Sequence, residues 1–255
     1  MTGTLRTGTL RTGTSGFGYP AWAPAFYAPG TPRAELLVAY AARLSAVELS
    51  GTYYRPFSDA QAAAWAARVP PGFRFAVKLL RTGSLRAYGA DPGGTIPWLT
   101  SPLGALGGHL GAALFRIPAD RARDDDRLDR LLAAWPPAIP LALEAQDASW
   151  HVDETHARLR AAGAALVVTE TDDAPDPPVT VTAPFVYLRL RRSLYGRADL
   201  DAWAARLEPF LADGRDAYVF FRHDEHGATP RLAAALAAQL PQFAPAETAG
   251  PRGAR

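Results

Sequence analysis

A chain of 255 residues that is 48% hydrophobic, 20% charged and 10% aromatic is not a disordered, collagen-like or coiled-coil protein. The absence of cysteine excludes disulfides, thiolate nucleophiles and iron–sulfur clusters, and no apolar stretch is long enough to predict a membrane span. A formal net charge of +2 is too small to indicate wholesale nucleic-acid binding.

The chain begins with a short repeat, in which Thr2–Arg6 recurs as Thr7–Arg11, and this segment lacks the apolar core of a secretory signal. We therefore expect a cytoplasmic protein. Residues 1–10 are predicted to form a low-complexity leader, residues 11–243 a single folded domain, and residues 244–255 a disordered tail.

Short β-like runs alternate with amphipathic stretches about eight times along the chain. The predicted strands are Arg11–Ser15, Ala46–Ser50, Arg74–Lys78, Ala112–Ile117, Pro140–Ala145, Ala165–Thr169, Phe185–Leu190 and Tyr218–Arg222. The predicted helices include Asp59–Arg68, Asp124–Ala134, Asp153–Ala162 and Leu200–Ala212.

Polar residues mark several helix starts. Ser58 and Gln61 have the spacing of a capping box. Thr31 and Thr229 each precede a proline, and this order predicts a helix N-cap followed by proline at the first helical position.

Strands separated by helices require a parallel sheet, because a parallel neighbour needs a long crossover. Eight such units in this length predict an α/β protein with a single TIM-type (β/α)8 barrel. Two segments interrupt the pattern: the glycine- and proline-rich Arg81–Leu99, and Thr171–Ala183, which leaves no room for a full sixth helix. We therefore expect an irregular barrel around the third and sixth β/α units, with long loops there.

Side chains alternate across a strand, so polar residues can be assigned to one face. Glu48, Lys78 and Glu144 each share a face with alanine, whereas the opposite face carries bulky apolar residues suited to packing on helices. The polar set is therefore predicted to point into the barrel. The same argument places Arg116, Arg189 and Arg222 inward near strand ends, where barrel enzymes build their sites.

Glu48, Lys78 and Glu144 are the predicted catalytic residues. Either glutamate would serve as a general acid or base, and Lys78, the single lysine beside 26 arginines, would be an electrophile or a Schiff-base amine. A lysine that only neutralises a glutamate fits the sequence equally well. A structural salt-bridge network at the barrel mouth is the alternative to a ligand site.

The predicted ligand-binding residues are arginines that would hold an anion through charge-assisted hydrogen bonds, together with side chains just beyond strand ends. They are Tyr19, Trp22, Tyr54, Arg55, Arg116, Gln146, Trp150, Arg189, Tyr195 and Arg222. Loop packing is the alternative for each aromatic residue. The histidines lack metal-site spacing, and no Walker loop, dinucleotide fingerprint or nucleophile elbow occurs, so we expect no metal and no cofactor.

The expected partner is a small anionic ligand, phosphorylated or carboxylated, and the expected chemistry is metal-independent acid–base catalysis. Two alternatives stay open. In the first, the protein binds single-stranded or damaged nucleic acid, with arginines on phosphates and aromatic rings on bases. In the second, it is a catalytically silent scaffold. The sequence favours no oligomeric state.

Several motifs occur in a characteristic order along the chain: GTSGFGYPAW (Gly13–Trp22), VELSGTYYR (Val47–Arg55), FRFAVK (Phe73–Lys78), LFRIP (Leu114–Pro118), ALEAQDASW (Ala142–Trp150), YLRL (Tyr187–Leu190) and YVFFRHDEHGA (Tyr218–Ala228). Together they resemble the YecE-like family, long described as a domain of unknown function, from Gly13 to about Leu240. The resemblance implies a (β/α)8-type barrel and supplies no established reaction.

The mouth of the predicted barrel only partly follows the family pattern. The chain carries the family's residues at Tyr19, Trp22, Glu48, Thr52, Tyr54, Arg55, Lys78, Glu144, Trp150 and Arg189. It departs from the pattern at Arg116, Gln146, Asp147, Arg191, Arg222 and His223. These departures imply either a different ligand or the loss of an ancestral activity.

Overall fold

A computed structural model describes residues 7–89 and 91–245, which form eight parallel strands. The strands are β1 (Leu10–Thr14), β2 (Ala46–Leu49), β3 (Arg74–Lys78), β4 (Leu110–Ile117), β5 (Leu141–Ala145), β6 (Ala165–Glu170), β7 (Phe185–Leu190) and β8 (Asp216–Phe221). Their order in the sheet is β1-β8-β7-β6-β5-β4-β3-β2. The predicted TIM-type (β/α)8 barrel is therefore confirmed.

The helices of the described residues surround this sheet. They are α1 (Leu36–Ala41), α2 (Asp59–Ala66), α3 (Arg81–Tyr88), α4 (Pro92–Thr100), α5 (Asp125–Ala134), α6 (Asp153–Ala162), α7 (Arg197–Ala212) and α8 (Ala228–Gln239). None of them is long and apolar enough to cross a membrane. Residues 1–6 of the predicted leader and 246–255 of the predicted tail lie outside the described residues. Just before β1, the N–H groups of Gly8 and Thr9 are bonded to Leu211 and Asp216, which ties this end of the leader to the barrel.

The barrel closes between β1 and β2 through side chains as well as backbone. A bridge pairs Ser15 with Glu48 at the mouth. Deeper in the seam, the Thr14 N–H donates to the Tyr40 hydroxyl at 2.8 Å, and that hydroxyl donates to the Ala46 carbonyl at 3.1 Å. A Cβ on Gly13 would lie 1.9 Å from the Ala46 oxygen, so only glycine fits this close approach.

The barrel interior is filled by small residues on one side and large ones on the other. Its apolar cluster includes four alanines from β2 to β5 and four aromatic residues from β7 and β8: Ala46, Ala76, Ala112, Ala142, Phe185, Tyr187, Tyr218 and Phe220. The inward face predicted for β2, β3 and β5 is confirmed. The expectation that the bulky residues all lie outside fails for β7 and β8, because their rings fill the space that the alanines leave.

The third β/α unit differs from the prediction. The segment Arg81–Leu99 is not a long unstructured loop, because α3 and α4 occupy most of it. Asp91 caps α4 by accepting from the Gly94 N–H at 2.8 Å, and Pro92 follows at the first helical position. Ile96 and Leu99 anchor α4 in the core. The absence of a helix after β6, in residues 171–184, is confirmed.

Two predicted N-caps are wrong. The Thr31 hydroxyl donates to the Ala28 carbonyl, and α1 begins only at Leu36, after a 3₁₀ turn. Thr229 lies inside the first turn of α8, because Asp224 accepts from the N–H groups at residues 227 and 228 and starts the helix earlier. The capping box of Ser58 with Gln61 is confirmed.

Candidate functional site

A buried arginine joins two glutamates across the C-terminal mouth of the barrel. Arg189, in β7, donates to Glu48 of β2 through Nε at 3.0 Å and Nη2 at 2.9 Å. Its Nη1 lies 2.5 Å from Oε1 of Glu144 in β5. All three side chains are at most 3% exposed. These residues, which strand alternation brings to one face, are therefore in direct contact.

Glu48 is the most completely bonded member of this group. Besides Arg189, its oxygens accept from Tyr187 at 2.8 Å, Ser15 at 2.8 Å and Ser50 at 3.1 Å. Burial by itself raises the pKa of Glu48, but the charge and hydrogen bonds of Arg189 outweigh it and lower the pKa to about 2. Glu48 is thus a fixed carboxylate that holds Arg189.

Over the residues that the structure describes, only one of the two carboxylate oxygens of Glu144 accepts hydrogen bonds. Its Oε1 accepts from Arg189 and, at 3.4 Å, from Thr169, whereas its buried Oε2 has no hydrogen-bond partner among the described residues. The Arg116 Nε lies 3.4 Å from Oε2 without forming a hydrogen bond, and it is also buried and unbonded. Arg116 instead donates through Nη2 to Gln146 at 2.5 Å. Unsatisfied buried polar atoms of this kind are rare and call for an explanation.

Lys78 ends β3 with its side chain only 8% exposed. Its ammonium lies 4.2 Å from the centre of the Tyr53 ring and makes no ion pair with a carboxylate in the described part of the chain. Burial lowers the pKa of Lys78, and the charge of Arg189 lowers it further. Glu144 and Glu48 offset part of this effect, so the pKa of Lys78 is about 8.

Arg191 completes a cluster of six charged side chains, but it is not among the predicted ligand-binding residues: the cluster comprises Glu48, Lys78, Arg116, Glu144, Arg189 and Arg191. Its Nη1 lies 3.3 Å from the Ser15 hydroxyl, and no carboxylate within residues 7–89 or 91–245 pairs with it. Burial and the charge of Arg189 lower the pKa of its guanidinium. Arg191 lies two residues after Arg189 and four after Tyr187. Extending the strand alternation one residue past β7 therefore predicts that Arg191 also faces the barrel interior.

Apart from Gln146, seven predicted ligand-binding residues are not part of this cluster, and the first four are Trp22, Trp150, Tyr195 and Arg222. Arg222 follows β8 instead of lying in it, and its exposed guanidinium contacts the Arg191 carbonyl at 3.4 Å. Trp22 and Trp150 are fully buried, and their indole N–H groups donate to loop carbonyls. Tyr195 is buried and donates to Glu170 at 2.8 Å. The two tryptophans and Tyr195 fasten loops around the mouth.

The remaining three, Tyr19, Tyr54 and Arg55, line the rim. Tyr19 stacks on His223, with ring centres 5.1 Å apart. Tyr19 and Arg55 line a cavity of about 430 Å³ between the loops that follow β1 and β2. The Tyr54 side chain is 76% exposed and packs edge-on against Tyr53. In the described residues, no three histidine, aspartate or glutamate side chains are grouped closely enough to hold a metal ion.

Comparisons with known proteins agree with this architecture. Residues 11–254 match the family described as "Protein of unknown function DUF72". A crystal structure of a DUF72 family protein from Thermotoga maritima MSB8 is 24% identical with a TM-score of 0.75, over 92% of this chain and 98% of that chain. One from Enterococcus faecalis V583 is 19% identical with a TM-score of 0.74, over 93% and 99%.

Among proteins with curated descriptions, none matches this chain. The two structural likenesses show the fold alone, because both identities are below 25%. The sequence match, in contrast, extends over nearly the whole chain. The resemblance to YecE-like proteins is therefore confirmed: this chain belongs to the DUF72 family.

Proposed function

We propose that this protein binds a small anionic ligand, carboxylated or phosphorylated, at the C-terminal mouth of its barrel, and that Lys78 and Glu144 exchange protons with it without a metal. The main support for the proposal is the unpaired state of two cations in the described residues. Lys78 and Arg191 are largely buried cations without a carboxylate partner in the described residues, while both glutamates of the cluster are engaged by Arg189.

The charges of the cluster support an anionic ligand. It contains four cationic side chains and two carboxylates, which leaves two positive charges uncompensated: the cations are Lys78, Arg116, Arg189 and Arg191. Burying a charge without a counter-ion is costly, so such an arrangement is more readily retained where a ligand supplies the opposite charge. A phosphate monoester or a dicarboxylate carries about the two negative charges needed.

The proton-transfer roles follow from the bonding of each group. The Lys78 ammonium has a pKa of about 8, which allows it to give or take a proton near neutral pH. Glu144 has one oxygen without a hydrogen bond, buried 3.4 Å from Arg116, and in this proposal it accepts a proton once Arg116 turns towards the ligand. Glu48, held ionised by Arg189, is a positioning residue in this scheme.

Binding of single-stranded nucleic acid is the second candidate, and the exposure of Tyr54 favours it. This ring is 76% exposed and stands at the rim near the arginines of the mouth, where a base could stack on it. Nucleic-acid affinity would fall steeply with added salt, whereas the affinity of a small anion for the largely buried cations of the mouth would fall less.

A thermal-shift comparison tests the proposal, because a ligand that binds the folded state raises the melting temperature. Wild type, Lys78→Met and Arg191→Met are screened at low and high salt against phosphate, glucose 6-phosphate, malate, citrate and a short single-stranded oligonucleotide. Arg197→Met is the matched control, since Arg197 is exposed on α7 and pairs only with Asp201 within the described chain.

We expect a small anion to stabilise wild type and the control at both salt concentrations, and to have little effect on the two mouth variants. A shift produced only by the oligonucleotide, and abolished by salt, would replace this proposal with nucleic-acid binding. Stabilisation by none of the probes would favour the silent scaffold.

A further inference from the structure

A cationic cavity adjoins the cluster at the barrel mouth. Its volume is about 480 Å³, within the range of about 300–1,000 Å³ typical of small-molecule sites. We call this cavity the outer groove; its lining includes Tyr53, Tyr54, Arg81, Leu85, Arg116 and Arg121. These residues come from the loop after β2, from α3, and from the end of β4 and the loop after it.

The outer groove carries positive charge that the protein itself leaves largely unpaired. The Arg81 guanidinium has neither a hydrogen bond nor an ion pair in the described residues. Arg121 lies 4.0 Å from Asp120, but both side chains are more than half exposed, so their attraction is weak. Asp120 is the one acidic residue among the groove's described lining. Arg81 also begins α3, which has no side-chain cap, so the positive end of the helix dipole adds to the cationic potential.

Two residues connect the outer groove to the cluster around Arg189. Arg116 lines the groove and lies 3.4 Å from Glu144. The Tyr53 ring also lines the groove and lies 4.2 Å from the Lys78 ammonium. The groove and the inner cations are therefore neighbours that share the Tyr53 and Arg116 side chains.

We infer that the outer groove is a second anion subsite, and that the ligand is a small elongated molecule with an anionic group at each end, of the class of sugar bisphosphates and phosphorylated carboxylic acids. The inference rests on the proposed function, which assigns the inner anionic group to Lys78 and Arg191. The outer group binds Arg81 and Arg121, and the body of the ligand lies along Tyr53 and Arg116.

Calorimetric titration with linear α,ω-alkanediphosphonates and the corresponding alkylmonophosphonates tests this inference without assuming a substrate. The proteins are wild type, Arg81→Gln/Arg121→Gln, and the control Arg86→Gln. Arg86 is also an exposed arginine of α3, but it does not line the groove and lies 3.8 Å from Asp91. All three substituted arginines have exposed or largely exposed side chains, so the variants are expected to fold.

We expect wild type to bind the best-fitting diphosphonate about tenfold more tightly than the monophosphonate of equal length, the effect of one added charge-assisted contact. The double variant should lose this preference and keep its monophosphonate affinity, whereas Arg86→Gln should keep both.

A preference that survives in the double variant would overturn the outer subsite while leaving the proposed function intact. Failure of wild type to bind either phosphonate would overturn both. Binding of a single-stranded oligonucleotide that depends on Arg81 and Arg121, without diphosphonate binding, would also overturn the inference, because the groove would then follow a nucleic-acid backbone.

Discussion

Replacing Arg189 with methionine removes the guanidinium that, in residues 7–89 and 91–245, touches both buried glutamates. Glu48 and Glu144 are 0% and 1% exposed, so neither can exchange Arg189 for bulk water without opening the barrel mouth. Removing one partner of a buried ion pair costs about 3–5 kcal/mol. Glu48 loses its ion pair and Glu144 loses the shorter of its two, keeping only Arg116 at 3.4 Å, so we expect about 4–5 kcal/mol here. For a chain of this size that lowers the melting temperature by about 8–20 °C.

The effect of Arg189→Met should depend on pH with a defined sign. In wild type the pKa of Glu48 is lowered from 4.5 to about 2, so its contribution to stability is complete above pH 4.5 and is lost as the pH falls towards 2. In the variant, the smaller effects of the Arg191 charge and the Ser15 hydrogen bond are left to oppose burial, so we expect the pKa of Glu48 to rise above its ordinary value. The variant then gains stability as the pH falls from 7 to 5, and its deficit relative to wild type shrinks.

Urea unfolding followed by circular dichroism at pH 7 and pH 5 measures both effects. Arg197→Met is the control, because Arg197 is 82% exposed and its ion pair with Asp201 should contribute at most about 0.5 kcal/mol. If Arg189→Met costs no more than this control, or if its deficit grows as the pH falls, the assignment of Arg189 as the counter-charge of the glutamates is refuted.

Three further outcomes are expected. Lys78→Met should stabilise the ligand-free protein by about 1–3 kcal/mol at pH 7, because it removes a buried, unpaired ammonium. The gain should decline as the pH rises from 8 to 10.5 and wild-type Lys78 deprotonates; a loss of stability in urea unfolding at pH 7 would contradict this. The affinity of wild type for malate, whose carboxylates are both ionised in this range, should fall between pH 7 and pH 9 by calorimetry as Lys78 deprotonates, and a constant affinity would remove Lys78 from the site. Tyr40→Phe should cost about 1–3 kcal/mol in urea unfolding, because the Thr14 N–H loses its partner in the β1–β2 seam, whereas the exposed Tyr54→Phe should be neutral.

Strand alternation was enough to predict the centre of the candidate site. Glu48, Lys78, Glu144, Arg116 and Arg189 alternate with apolar residues inside strands, so their phase fixes the face they occupy. The inward position predicted for Arg222 is wrong, because β8 ends one residue before it and the alternation no longer applies. The sequence also gave no means to separate exposed from buried aromatic residues in loops, because burial of Trp22 and Trp150 depends on which distant loop covers them.

The barrel itself was predictable because eight amphipathic units repeat. The predictions that failed concern segments whose secondary structure depends on contacts with residues outside the segment. The glycines and prolines of Arg81–Leu99 indicate a loop locally, yet the Asp91 cap and the core contacts of Ile96 and Leu99 make it helical. At α8, Gly227 is the N-cap, and the upstream Asp224 accepts from the N–H groups of Gly227 and Ala228, so the helix begins before Thr229.

Lys78 is buried, has no carboxylate partner in the described residues and is proposed to bind an anion, and the composition of the chain permits a direct measurement of its charge. Lys78 is the single lysine, so biosynthetic labelling with lysine carrying ¹³C at Cε gives one side-chain NMR signal. Its pH titration, recorded with and without phosphate, reports the pKa of this ammonium. We predict a pKa near 8 in the free protein and a clear rise when phosphate binds. A pKa near the ordinary value of 10.5 that phosphate leaves unchanged would contradict the account.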